Sequence, residues 1–126
     1  MGNHTYNHLN GWKTGSFIYV KNVVYAKQLI KSNLFRPPYG RITSAQVKEL
    51  SPDFNIIMWG VLSGDFDISL SAEACFNNVA ENVKPGSIIV FHDSEKAFPR
   101  LEYALPKTLD LLSSQGYEMK AILERS

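Results

Sequence analysis

Apolar positions along this chain follow two patterns that take turns: recurrence at helical spacing, and short uninterrupted runs of strand length. Val20, Val23, Val24 and Ile30 predict a first helix reaching about Ser32. Leu34-Phe35-Arg36 is an extended run stopped by Pro37-Pro38, because proline disfavours the α conformation in the residue before it. Tyr39-Gly40 completes the turn. Thr43 with Gln46 three residues on has the form of a capping box and opens a second helix to about Leu50, which Ser51-Pro52 ends. Asn55 to Val61 is a nearly continuous apolar run, the pattern of one strand covered on both faces.

After a loop over 62–70, Ser71 caps a third helix whose Ala72, Cys75, Phe76, Val79 and Val83 form an apolar stripe. Pro85-Gly86 turns into Ser87–Phe91, a second buried strand. Pro106 suits the first turn of a fourth helix, with Leu105, Leu109 and Leu112 facing inward and Gly116 at its end; 117–123 reads as a last strand. Strand and helix in alternation predict right-handed β-α-β units and a parallel sheet or barrel.

Composition narrows the class. With 126 residues, 44% hydrophobic and 20% charged, the chain has the content of one globular domain, residues 1–126, with a modest core. A net charge of +1 without a basic stripe argues against nucleic acid as a partner. No apolar run reaches membrane-spanning length, and Met1 is followed by polar residues rather than an export signal, although an exported or cell-envelope parent is compatible with this chain. Cys75, the single cysteine, falls on the apolar stripe and reads as core.

The candidate chemistry lies at predicted strand ends. In Gly2-Asn3-His4-Thr5-Tyr6-Asn7-His8, two imidazoles stand four residues apart; on one helical turn they would share a face and reach one ion, or they are two surface histidines. His92 leaves the strand at 87–91, and Asp65 lies in the loop after another strand. If the strands are parallel, all three histidines gather at one rim, where α/β sheets and barrels build their sites. A carboxylate behind His92 would fix its tautomer and favour its charged form, as a general acid requires. Arg36 stands at another strand exit, and Asp67 reads as an ordinary loop aspartate.

The order His-Thr-Tyr-Asn-His, Arg-Pro-Pro-Tyr-Gly, Trp-Gly-Val-Leu-Ser-Gly-Asp-Phe and Ile-Ile-Val-Phe-His-Asp resembles the polysaccharide deacetylase family, the NodB-homology domain of carbohydrate esterase family four. The resemblance implies a deformed (β/α) barrel and a metal-dependent hydrolase that removes acetyl groups from N- or O-acetylated glycans such as chitin or peptidoglycan. It implies that His4 and His8 bind a divalent metal, most often zinc. Arg36 would brace the catalytic base, and the Tyr39 N–H would help hold the oxyanion. Asp65 would orient His92, which would protonate the departing amine. Pro37, Pro38, Gly40, Phe66 and Trp59 would line the substrate groove. An amide needs all of this help, because its carbonyl is a poor electrophile and its nitrogen a poor leaving group.

One role is empty. The family's Thr-Phe-Asp-Asp-Gly motif, which supplies the base and a third metal ligand, has no counterpart in this sequence. The expectation is therefore an α/β chain forming an incomplete barrel, its first one or two strands missing, weak or inactive by itself, and prone to self-association through an exposed sheet edge. A non-catalytic carbohydrate-binding or assembly remnant is the alternative.

Overall fold

A computed structural model describes residues 1–124. They group into two compact units, one of Met1–Met58 together with the C-terminal residues from Ile122, the other of Trp59–Ala121. Each contains one parallel β-α-β unit and one further helix, so the α/β class and the parallel pairing expected from the alternation are present.

In the first unit, helix α1 (Ser16–Ile30) precedes strand β1 (Leu34–Phe35), helix α2 (Ser44–Leu50) and strand β2 (Asn55–Ile56). β1 and β2 pair in parallel with Leu34 opposite Asn55, and Asn3 adds a parallel bridge to Phe35. Tyr19, Val23, Phe35, Leu50 and Phe54 form the core, with Phe35 edge-on to both Tyr19 and Phe54. The buried face of α1 is Tyr19, Val23 and Ala26, and Val24 is exposed. The capping box of α2 is complete: Gln46 N–H donates to Thr43 Oγ1 and Thr43 N–H to Gln46 Oε1.

In the second unit, strand β3 (Val61–Leu62), helix α3 (Ala72–Ala80), strand β4 (Ile89–Val90) and helix α4 (Phe98–Ser114) follow in order. β3 pairs in parallel with β4, Val61 opposite Ile89. α3 packs on α4, burying Cys75 and Val79 on one and Ala104, Thr108 and Leu112 on the other. Burial raises the Cys75 thiol pKa, which agrees with a packing role.

Three expectations are corrected. The run from Asn55 to Val61 is not one strand covered on both faces but two, β2 and β3, in different ladders, and Met58 is exposed. The Arg36 guanidinium takes the carbonyls of Ile57 (3.2 Å) and Met58 (3.5 Å), and Gly60 N–H already donates to Ile88 O, so no single ladder continues through the run. Helix α4 starts at Phe98 with Pro99 in its first turn; Pro106 lies inside it, on the exposed side, and Leu109 is exposed. Residues 117–123 form no strand. Their start is consumed by the end of α4, where Tyr117 N–H donates to Leu112 O and Gly116 N–H to Ser113 O, a Schellman closure. Of the loop or helix that Gly2 and Asn3 allow here, His4 to His8 takes the loop.

Candidate active site

That loop is shaped by side chains that replace a backbone ladder. Asn3 exchanges backbone bonds with the β1 strand, donating to Leu34 O and accepting from Arg36 N–H, while its buried Nδ2 donates to Val23 O (2.8 Å). Its Oδ1 accepts the Thr5 N–H, and Thr5 Oγ1 accepts the Leu9 N–H. Asn22, on α1, accepts the N–H groups of both Tyr6 (2.8 Å) and Asn7 (3.0 Å) and donates to Asn7 Oδ1. These clips hold Thr5 at φ 58° and His8 at φ 55°, conformations that non-glycine residues adopt only under constraint.

The outcome is that the His4 and His8 ring centres lie 5.0 Å apart at 63°. His4 Nδ1 is 2.6 Å from Arg36 O; a carbonyl only accepts, so Nδ1 carries the proton and Nε2 the lone pair of the neutral ring. Histidines that bind metal are commonly braced through their other nitrogen in this way. The Tyr39 ring stands 4.9 Å from His8, on a residue at φ 60°, and Pro37 and Pro38 beneath it are buried. Gly40 ends this turn, its N–H on Pro37 O. Burial lowers the Arg36 guanidinium pKa below its ordinary value.

The second unit holds the acid–base pair. Asp65 is completely buried, and both of its oxygens face His92: Oδ2 accepts the His92 backbone N–H at 2.7 Å and Oδ1 the ring Nδ1–H at 2.8 Å. The His92 side chain is 42% exposed and edge-on to the exposed Phe66 ring, 5.1 Å away. A carboxylate without water must be compensated by donors. Arg100 on α4 fixes the loop by donating Nε–H to Asp65 O at 2.7 Å and a terminal N–H to Lys96 O. Gly64, just before Asp65, adopts φ +80°, and a Cβ there would meet Leu70 at 2.8 Å, so the loop enters the site through a position that only glycine fits. Asp67 is taken up locally: the Ser69 hydroxyl and N–H bind its carboxylate and lower its pKa. Trp59 is half-buried at the start of this unit.

The residues expected at the site thus form two groups, His4, His8, Arg36 and Tyr39 in one unit, and Asp65, Phe66 and His92 in the other. Asn22 and Arg100 were not legible as supports, because each acts from a helix far along the chain. Among the described residues no group of three or more His, Cys, Asp or Glu side chains is placed to hold a metal ion. A catalytic zinc takes three protein ligands. His4 and His8 give two, so these residues alone do not fit a complete metal centre.

No protein-family profile matches the chain. A peptidoglycan-N-acetylglucosamine deacetylase of Bacillus cereus is 33% identical over 101 residues, 75% of this chain and 36% of that protein. The crystal structure of the Bc1960 peptidoglycan N-acetylglucosamine deacetylase, solved with a naphthalenyl N-hydroxybenzamide, superposes with a TM-score of 0.84 at 31% identity, covering 92% of this chain and 57% of that one. This chain is related to the polysaccharide deacetylases of carbohydrate esterase family four. The same fold is shared by BA3943 of Bacillus anthracis, described as a pseudoenzyme of that family, with a TM-score of 0.80 at 24% identity over 93% of this chain and 42% of that one. The chain therefore spans between about a third and three-fifths of the length of these deacetylase relatives. Its parallel β-α-β units correspond to part of the family's deformed barrel.

Proposed function

We propose that this chain serves the removal of acetyl groups from an acetylated glycan, with N-acetylated polymers such as peptidoglycan or chitin as the substrate class. The observation that carries the reading is the buried Asp65 holding His92 by both backbone and ring. Asp65 keeps the proton on Nδ1 and fixes the orientation of the ring, leaving Nε2 toward the exposed side. His92 Nε2, on the exposed side chain, then delivers a proton to the amide nitrogen as the C–N bond of the water adduct breaks, giving acetate and the free amine, because an amine leaves only when protonated. In the first unit, the constrained wall at Pro37-Pro38 carries the Tyr39 N–H, the donor that the family resemblance assigns to an oxyanion. Arg36 stiffens that wall through the carbonyls of Ile57 and Met58. His4 and His8 supply two imidazole donors, one fewer than a catalytic zinc takes from protein.

The reading is tested by acetate release from an N-acetylglucosamine oligomer with added divalent metal. Slow release by the chain is expected, falling to background in His92→Ala and by about 10²-fold or more in Asp65→Asn. A second reading, a glycan-binding module without catalysis, is favoured by the shortfall to two metal donors. It takes over if wild-type and His92→Ala release acetate equally.

A further inference from the structure

Trp12, Arg41 and Tyr39 lie together beside the histidine pair, with the cation over both rings. The Arg41 guanidinium carbon lies 5.0 Å from the Trp12 ring centre and 6.0 Å from that of Tyr39, whose ring is 4.9 Å from His8. Trp12 is 65% exposed and Tyr39 59%. Trp, Tyr and Arg are the residues that dominate binding hot spots, and here the three stand exposed or cation-bearing side by side.

The arrangement is fastened from beneath. Asn10 Oδ1 accepts the Trp12 N–H, and the Gly11 N–H donates to Arg41 O at 3.2 Å. Gln46, fully buried, donates through Nε2 to the carbonyls of Gly11 (2.9 Å) and Thr14 (3.2 Å). The turn carrying Trp12 is thus tied to the segment carrying Arg41 and to the start of α2. Among the described residues Arg41 makes no ion pair. A guanidinium attracted to aromatic faces still carries N–H donors whose planar fork matches a carboxylate.

We propose that Trp12, Arg41 and Tyr39 form a binding subsite for a carboxylate-bearing sugar unit of the glycan. The rings pack on the apolar faces of pyranose units, and Arg41 pairs with the carboxylate. The polymer's identity as a glycan rests on the function proposed above; the preference for an acidic unit rests on Arg41 and its neighbours.

The test is binding of the whole chain, followed by ligand-observed NMR, to two soluble probes of equal length. One is a neutral N-acetylglucosamine tetramer; the other alternates N-acetylglucosamine with N-acetylmuramic acid, which adds a carboxylate. Wild type is expected to bind the acidic probe about fivefold more tightly, and the difference shrinks in high salt. Arg41→Gln removes the preference, bringing the two probes to the same affinity. Trp12→Ala weakens both probes by about tenfold, the size of a modest hot spot. Equal affinity of wild type for the two probes, an unchanged ratio in Arg41→Gln, or no binding of either overturns the proposal. Because acetate is not read, a chain that shows the preference but releases no acetate keeps the subsite and loses the catalytic reading. His92-dependent release without the preference does the reverse.

Discussion

Tyr19 is buried to its hydroxyl, which has no hydrogen-bond partner among the described residues, and burial pushes its pKa from 10.0 up to about 12. A phenol whose folded pKa exceeds its unfolded value favours folding fully below the unfolded value, and that contribution is lost as pH climbs through the folded one. Between pH 10 and 12 the fold should lose about 2–3 kcal/mol from this group. Tyr19→Phe keeps the ring against Phe35 and removes the unpaired hydroxyl. It should stabilise the chain by about 1 kcal/mol at pH 7 and flatten the alkaline loss, as read by urea denaturation at pH 7 and 11. The sequence marked the helix that bears Tyr19 but not the burial of its oxygen. By contrast, the Asp65–His92 bond was legible in outline, since a loop carboxylate and a strand-exit histidine stood in a familiar order. The Arg100 clamp behind it was not, because no local pattern links α4 to Asp65.

Among elements, the turn at Gly11–Lys13 depends on one missing side chain. A Cβ on Gly11 would lie 2.4 Å from Arg41 O and 2.6 Å from Gln46 Oε1, so the backbone must shift to admit it. Gly11→Ala should destabilise by about 1–3 kcal/mol, the usual cost of overpacking. Gly15→Ala, where nothing lies within 4 Å, should stay within about 0.5 kcal/mol. Thermal melts of the two variants decide it; equal shifts would show that the close packing is not what holds the turn. The capping box of Thr43 and Gln46 was readable from spacing alone, whereas the reach of Gln46 to Gly11 and Thr14 was not. The misplaced start of α4 has a similar origin: two prolines, Pro99 and Pro106, suit a first turn, and only packing against α3 shows which one begins the helix.

At the scale of the whole chain, Glu124 ties the C-terminal segment to the first unit. Its carboxylate accepts the Ser32 hydroxyl (2.6 Å) and the Asn33 N–H (3.0 Å), and these bonds lower its pKa below the ordinary 4.5. A depressed carboxylate favours the docked state above the unfolded pKa, and this is lost as pH falls through the lowered value. The Asn33 amide proton should therefore titrate in NMR with a midpoint below 4.5, and Glu124→Gln should abolish that titration. A midpoint at or above 4.5 would show that the carboxylate is not held. The strand expected at 117–123 is where the reading of the whole chain failed, because an apolar run becomes a strand only when a neighbouring edge accepts its backbone.

Apolar spacing and cap residues by themselves marked four helices and their alternation with strands, together with the order of the motifs, because those preferences act within a few residues. The tertiary structure decided the rest: that the histidine loop is held by Asn22 instead of a helical turn, that the run at Asn55–Val61 divides between two ladders, and that Trp12 meets Arg41. Each depends on hydrogen bonds or stacking between residues far apart in the chain, whose free energy exists only once the backbone has brought them together.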